Sequence, residues 1–359
     1  MLLARLCLVV LFLSSPLAVL GQTPKFELVK VAEGVYACIR TEPPGLTVNA
    51  NSVFIINRDD VIVVDTTLTP GTAREELAAL RKLTGKPVRY VINTHWHDDH
   101  IMGNEVYRTA FPGADFIAHA QTREYLPTTG LRNRQQAMAA DGYPGFIAAL
   151  KKSLEENRNF SGAQMDEEER RTYASDIRIA ERYMRENPTA QVVLPTITLE
   201  DHLTLYRGDR VIEILSLGRG HTSGDIVVRL PQEGIVITGD LVIWPVPYVG
   251  TPQSHPGEWG LALEKLIALK PNVIIPGHGQ VLRDDSYLKL MARLFASVKE
   301  QVSAAVARGE KLEEVRRSVK LDEFQKQFAG DSHIRNDIFR IYVIGPAIAA
   351  AFNDATSKP

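Results

Sequence analysis

Seven residues of this chain carry side chains suited to holding metal ions. Four of them fall within the run Thr94-His95-Trp96-His97-Asp98-Asp99-His100, in the pattern His-x-His-x-Asp-His. The segment before it, Val88-Arg89-Tyr90-Val91-Ile92-Asn93, is largely apolar and reads as a buried strand. If that strand ends near Thr94, His95 and His97 stand two apart and point the same way, towards one ion. The chain must then turn, which lets Asp99 and His100 face a second ion. Imidazole and carboxylate suit zinc and its borderline-hard relatives. The competing reading is a polar surface turn. Three of the chain's 9 histidines in so short a run argue against it.

His221, Asp240 and His278 repeat the same local context. His221 lies in Gly218-Arg219-Gly220-His221-Thr222-Ser223-Gly224-Asp225, Asp240 ends Ile235-Val236-Ile237-Thr238-Gly239-Asp240, and His278 ends Val273-Ile274-Ile275-Pro276-Gly277-His278. Each follows an apolar run and has glycine beside it, which allows the backbone to approach an ion closely. Asp225 reads more simply as a turn acid. Asp65, at the end of Val61-Ile62-Val63-Val64, either caps the next turn or orients a ligating histidine from behind. His119, after Phe116-Ile117-Ala118, reads as structural.

The elements that must position these groups alternate between strand and helix signals. Residues 26–39 suggest a first strand pair, and 51–56 with 61–64 a hairpin. Thr69-Pro70-Gly71-Thr72 starts a helix with Leu77, Leu80 and Leu83 on one side. Residues 121–190 are charged and helix-favouring. They form a helical insertion, either a cover for the site or a solvated set of helices without a catalytic part. Strand signals resume at 203–206, 211–215, 226–228, 234–240 and 273–278. A loop over 244–259, rich in proline and aromatics, leads into a helix from about Gly260. Two or three helices fill 287–354.

The length of 359 residues suits one large α/β domain, and 45% hydrophobic residues provide a sizeable core. A net charge of −2 gives no general attraction to nucleic acid or an anionic membrane. Met1 to Arg5 is a short basic start, Leu6 to Leu13 is apolar, and Ser14-Ser15-Pro16 breaks the run. This predicts a secretory signal over residues 1–21, cut near Gly21-Gln22, and a soluble periplasmic or secreted product. The run is short for a bilayer span, and the sequence suggests no second long apolar segment. Loss of Cys7 would leave only Cys38, so no internal disulfide is expected.

The four motifs in this order, His-x-His-x-Asp-His, Gly-His-Thr-x-Gly-Asp, Thr-Gly-Asp and Pro-Gly-His-Gly, resemble those of the metallo-β-lactamase superfamily across residues 26–282. The resemblance implies an α/β chain folded as a four-layer αβ/βα sandwich, with the site along one edge of two sheets. The organisation expected is a domain over 22–282 carrying the 121–190 insertion, then a C-terminal helical extension over 283–359. It also implies that His95, His97 and His221 hold one zinc, that Asp99, His100 and His278 hold the other, and that Asp240 bridges them. Iron or manganese would suit the same ligands. Classical β-lactamases commonly have cysteine or serine near the place of Asp240. A bridging aspartate is more similar to glyoxalase II, lactonase and phosphodiesterase members.

On this reading the chain is an exported di-zinc hydrolase. A metal-bridging hydroxide attacks a small-molecule substrate with a cyclic or activated acyl bond: a β-lactam, lactone or thioester. Asp99 and Asp240 are the expected catalytic carboxylates. The alternatives are phosphodiester cleavage, iron-dependent redox chemistry of the sulfur dioxygenase kind, and a non-catalytic periplasmic binding protein. Substrate choice is expected from the turn at 41–49, the insertion and the 244–259 loop, with Trp244, Tyr248 and Trp259 either as walls or as packing.

Overall fold

The computed structural model describes residues 25–250 and 253–356. The expected signal segment and Cys7 lie outside the described residues. Seven strands form one sheet in chain order: β1 (Phe26–Ala32), β2 (Val35–Arg40), β3 (Ser52–Ile56), β4 (Val61–Val64), β5 (Val88–Ile92), β6 (Asp115–His119) and β7 (Ile197–Leu199). β1 to β4 run antiparallel, and β4 to β7 are parallel. The second sheet holds β8 (His202–Arg207), β9 (Arg210–Leu215), β10 (Val227–Leu230), β11 (Ile235–Ile243) and β12 (Val273–His278), in the order β12-β11-β10-β9-β8.

Side-chain alternation explains the layers. In β4, Ile62 and Val64 join Ile92, Ile117, Ile214, Val228, Ile237 and Ile275 in a core between the two sheets. Val61 and Val63 point the other way, against Leu77 and Leu80 of the Pro70–Leu83 helix. Strands covered on both faces read as continuous apolar runs, which is why the central strands are so plain in the sequence. Behind the second sheet, Val227, Val236 and Ile274 pack on Trp259, Leu263, Leu294 and Phe295 from the Pro256–Ala268 and Ser286–Ala307 helices. The order is helix, sheet, sheet, helix, as the sequence implies.

Several boundaries differ from the sequence reading. Asp240 is not at a strand end: β11 continues to Ile243, with its register against β12 broken on both sides of Gly239. The 256–268 helix starts before Trp259 because Pro256 suits a first helical position. Trp259 is therefore a fully buried helix residue, stacked on Phe295, and not part of a wall loop. Among the described residues the C-terminal region holds five α-helices where two or three are expected: Ser286–Ala307, Leu312–Ser318, Asp322–Ala329, His333–Phe339 and Gly345–Thr356. Gly309 and Gly330 adopt positive φ at the breaks, and Ser332 caps the fourth helix through its hydroxyl. A π-helical step, Arg340–Ile344, joins the last two. The resulting run His333–Thr356 is long and apolar enough to cross a membrane, contrary to the expectation of no such segment. Charged residues at its start, such as Arg335 and Asp337, mask it. Its buried face, Ile338, Phe339, Val343, Ala347 and Ile348, belongs to the core behind the second sheet.

Candidate metal centre

All seven candidate ligands lie together along one edge of the two sheets. They fall into two groups whose donor atoms lie within 4.8 Å of one another: His95, His97, His221 and Asp240, and Asp99, His100 and His278. β5 ends at Ile92, so His95 and His97 sit on the turn after the strand, with ring centroids 4.7 Å apart. The His97–Ile101 turn then brings Asp99 and His100 to the other side. His221 comes from the glycine turn before β10, Asp240 from the irregular stretch of β11, and His278 from the end of β12.

Asp240 stands between the groups. Its Oδ2 lies 3.3 Å from His221 Nε2 and 3.9 Å from His95 Nε2. Its Oδ1 lies 3.2 Å from His100 Nε2 and 3.3 Å from His278 Nε2. One carboxylate thus presents one oxygen to each group. Gly277 permits this approach, because a Cβ there would run into Asp240 Oδ1. Gly239, at φ +49°, likewise leaves room for the Thr94 side chain.

Other side chains fix the ring orientations. His100 donates from Nδ1 to Asp65 Oδ2 at 2.7 Å, which leaves Nε2 for the centre. Asp65 also accepts from the Thr94 amide and hydroxyl, at 2.8 and 2.7 Å. Of the two roles open to Asp65, orienting a histidine from behind is the one it performs. His221 donates from Nδ1 to the Tyr248 carbonyl at 3.0 Å. Asp225 holds the His221 turn by accepting from the Thr222 amide and hydroxyl. Its burial pushes its carboxyl up to about 7. His119 binds the Glu200 carbonyl and caps the next helix through Gln121, and takes no part in the centre.

The electrostatics divide the two groups. Burial lowers His95 well below the ordinary histidine value, takes His97 down to about 3, and lowers His221. The lowering favours the uncharged ring, the form with a lone pair to give a metal ion. For His100 and His278 burial acts in the same direction but is outweighed by carboxylates. Asp240, Asp99 and Asp65 raise His100 well above its usual value, and Asp240 with Asp99 brings His278 to about 9. Asp240 and Asp99 are in turn lowered by those histidines against the upward pull of burial.

The donor set fits metal ions. His95 Nε2, His100 Nε2, His278 Nε2, Asp99 Oδ2 and Asp240 Oδ1 are buried and make no hydrogen bond. Orphaned buried polar atoms are costly, and here they converge on two points. The ligand sequence His-x-His-x-Asp-His and this two-sided carboxylate decide the family, which is also the one whose model, the metallo-β-lactamase superfamily, matches residues 46–278.

The chain belongs to the metallo-β-lactamase superfamily.

Other members show how far the likeness extends. A linear primary-alkylsulfatase of Pseudomonas sp. (strain ATCC 19151) is 25% identical over 272 residues, which is 73% of this chain and 48% of that protein. The chain spans about half the length of this curated relative. Among solved structures, a stereoselective inverting sec-alkylsulfatase from Pseudomonas sp. matches with a TM-score of 0.62 at 16% identity, over 92% of this chain and 50% of that one. A metallo-β-lactamase from Pontibacter korlensis matches with a TM-score of 0.51 at 20% identity, over 76% of this chain and 99% of that one. The superfamily fold follows for this chain.

The walls around this superfamily centre come from more elements than the sequence suggests. A cleft of ≈ 410 Å³ over His97, Asp99, His221 and Asp240 is walled by Val48, Tyr248, Val249, Ile341, Tyr342 and Pro346. The last three belong to the C-terminal helices, which the sequence reading assigns no part in the site. The Gly345-Pro346 break inside an apolar helix was the available signal. A second cavity of ≈ 180 Å³ lies beside His278, among Pro43, Pro44, Val48, Ile179, Trp244 and Tyr248, with the ion-paired Arg40 and Glu42 also in its lining. Tyr248 walls both spaces, but its hydroxyl donates to the Gly45 carbonyl at 2.8 Å and is not free to reach an oxyanion. The insertion meets the centre through Asp98, which accepts from Arg134 Nη1 at 2.9 Å and from the Tyr183 hydroxyl at 2.6 Å. These two bonds tie the insertion to the turn that carries Asp99 and His100. Asn51 was also missed. Its amide donates to the Pro276 and Gly279 carbonyls at 3.0 and 2.9 Å, which ties β3 to the strand that carries His278.

Proposed function

We propose that this chain is a two-metal hydrolase that opens a cyclic or activated acyl bond in a small substrate with an apolar body. One observation carries the reading: the two-sided Asp240 borders a cleft whose lining, among the described residues, contains no lysine or arginine. His95, His97, His221 and Asp240 would hold one ion, and Asp99, His100, His278 and Asp240 the other. When bound, two divalent cations supply an acidified water and polarise the scissile bond. The chain's own residues do the rest. Asp65 and the Tyr248 carbonyl keep His100 and His221 in the tautomers that free their Nε2 atoms. Asp99 would hold its ion through Oδ2, 3.1 Å from His278 Nε2, and its other carboxylate oxygen would take up a proton. The apolar walls exclude water and accept a body without charge or with one negative charge. Without a cationic clamp, a doubly charged phosphate is poorly served.

A monoanionic alkyl sulfate satisfies the same walls and is the second reading. The curated relative named as an alkylsulfatase favours it, as does the inclusion of 92% of this chain in the match to the sec-alkylsulfatase. Zinc remains the ion proposed, and export of the chain rests on its first twenty-one residues. The test is a hydrolysis screen of the zinc-loaded protein with lactam, lactone, thioester, alkyl sulfate and phosphodiester probes. Acyl turnover at least tenfold above the others is the expected result. Faster cleavage of an alkyl sulfate selects the second reading, and fastest cleavage of a phosphodiester overturns both.

A further inference from the structure

The loop over residues 43–49, between β2 and β3, walls both spaces at the site. Val48 faces the metal cleft, and Pro43, Pro44, Gly45, Thr47 and Val48 border the cavity beside His278. Three distant elements grip its backbone from outside. Asp176, on the Glu167–Glu186 helix of the insertion, accepts from the Leu46 amide at 3.0 Å and the Thr47 amide at 3.1 Å. Thr172, one turn earlier, donates to the Pro44 carbonyl at 3.3 Å. Tyr248 donates to the Gly45 carbonyl at 2.8 Å, and Tyr342 of the C-terminal step donates to the Leu46 carbonyl at 2.6 Å. Gly45 is needed because a Cβ there would strike the Asp176 carboxylate.

Asp176 is the unusual member of this set. It is 1% exposed, and no lysine, arginine or histidine among the described residues forms an ion pair with it. A carboxylate buried without a cation is expensive, and an uncharged acceptor would tie a loop at less cost. We propose that Asp176 is a specificity-determining positioning residue, whose carboxylate sets the 43–49 loop against the metal cleft and so fixes which substrate bodies enter the cavity beside His278. This rests on the hydrolytic reading above and deepens it: the substrate class is an ester whose apolar body extends past His278.

Burial pushes the Asp176 carboxyl up to about 7, against the pull of the two amides and of Arg178. The other groups facing it are Tyr173 on its own helix, Tyr143 on the preceding helix, Tyr248 and Tyr342. All four phenols are raised by burial, so none of them titrates between pH 6 and 8. The grip on Leu46 and Thr47 is strongest when Asp176 is ionised, so it tightens as pH rises through 7.

The test compares wild type with Asp176→Asn, which offers one acceptor and turns an N–H towards the other amide. Zinc content, KM and kcat are measured with p-nitrophenyl acetate and octanoate. Amide hydrogen exchange of residues 45–48 is followed at pH 6 and 8 in the same zinc-loaded proteins. Loss of one charge-assisted bond should raise the octanoate KM by roughly tenfold, with kcat and the acetate parameters within about twofold. Exchange at Leu46 and Thr47 should quicken by a similar factor, and its wild-type slowing between pH 6 and 8, beyond the intrinsic rate, should vanish. Thr172→Val, a milder cut at the same loop, should shift octanoate in the same direction and leave acetate alone. Equal effects on both esters, or unchanged exchange at Leu46 and Thr47, would overturn the proposal. If wild type cleaves neither ester, the hydrolytic reading of acyl bonds falls, and the exchange result alone decides whether Asp176 positions the loop.

Discussion

The floor and the walls of the metal centre are built by opposite rules. The floor is made of residues within buried strands or in short turns next to them. Each ligand lies within a few residues of a β-strand whose both faces are covered, so backbone position is set by the core. The walls come from the 43–49 loop, the insertion and the C-terminal step, elements separated by up to 296 residues and joined by hydrogen bonds between side chains and backbone amides or carbonyls. The floor constrains chemistry, because a ligand displaced by an ångström is lost. The walls constrain only shape, and shape can be supplied from any part of the chain. The contrast predicts large, substrate-independent losses from floor changes and small, substrate-dependent shifts from wall changes.

His97→Ala should give the largest effect. Metal content should fall towards one equivalent, with loss of turnover on every substrate well beyond the roughly 10–100-fold typical of an outer partner. Elemental analysis showing two tightly held ions would defeat the two-group assignment. Asp240→Ala should cut content in both groups, since its two oxygens serve both, whereas Asp225→Ala should affect metal less. Equal and small losses would demote Asp240 to an ordinary strand acid. Asp65→Asn keeps the volume but replaces an acceptor of His100. A fall of about 10–100-fold in metal affinity is expected by competition titration, with substrate ranking unchanged. A changed ranking would blur the division between floor and wall.

Glu76 provides a control outside the centre. It is fully buried behind β3, accepts from the Ser52 hydroxyl and lies 3.6 Å from Arg40. Burial raises its carboxyl from 4.5 to about 7 despite Arg40. The folded state therefore binds the proton more tightly than the unfolded chain. The stability this provides is complete below about pH 4.5 and declines as pH rises to about 7, by up to about 3 kcal/mol. Glu76→Gln should flatten that slope in denaturant titrations at pH 5 and 8 while leaving substrate ranking alone. The smallest effect is expected for Tyr248→Phe. Losing the bond to Gly45 should cost about 1 kcal/mol of stability. Ratios of kcat/KM between bulky and small substrates should move more than metal content, which can be read from the same preparation.

The same contrast explains what was legible in the sequence. His95 to His100 and the glycine-flanked His221, Asp240 and His278 stand out because ligand chemistry restricts residue type and strand ends restrict spacing. The central strands are plain because they are covered on both faces. The strand containing Asp240 was misjudged because β-propensity does not reveal the register breaks around Gly239. For Trp259 the sequence leaves wall and packing open, because aromatics in a proline-rich stretch look alike whether they line a cleft or, as here, stack on Phe295 behind His221. The parts played by Asp98, Asn51, Asp176 and Tyr342 rest on partners 36 to 296 residues away. No local pattern encodes such a pairing.

The tie from Tyr342 to Leu46 makes the C-terminus a reporter of the cleft. A ligand lying against Ile341, Tyr342 and Pro346 binds only while the His333–Thr356 run is docked. By mass action, every tenfold of ligand above its dissociation constant then adds about 1.4 kcal/mol against local opening of that run. Cleavage by a protease within the last helix should slow in proportion, so that a gel band far from the metals reads out how full the cleft is.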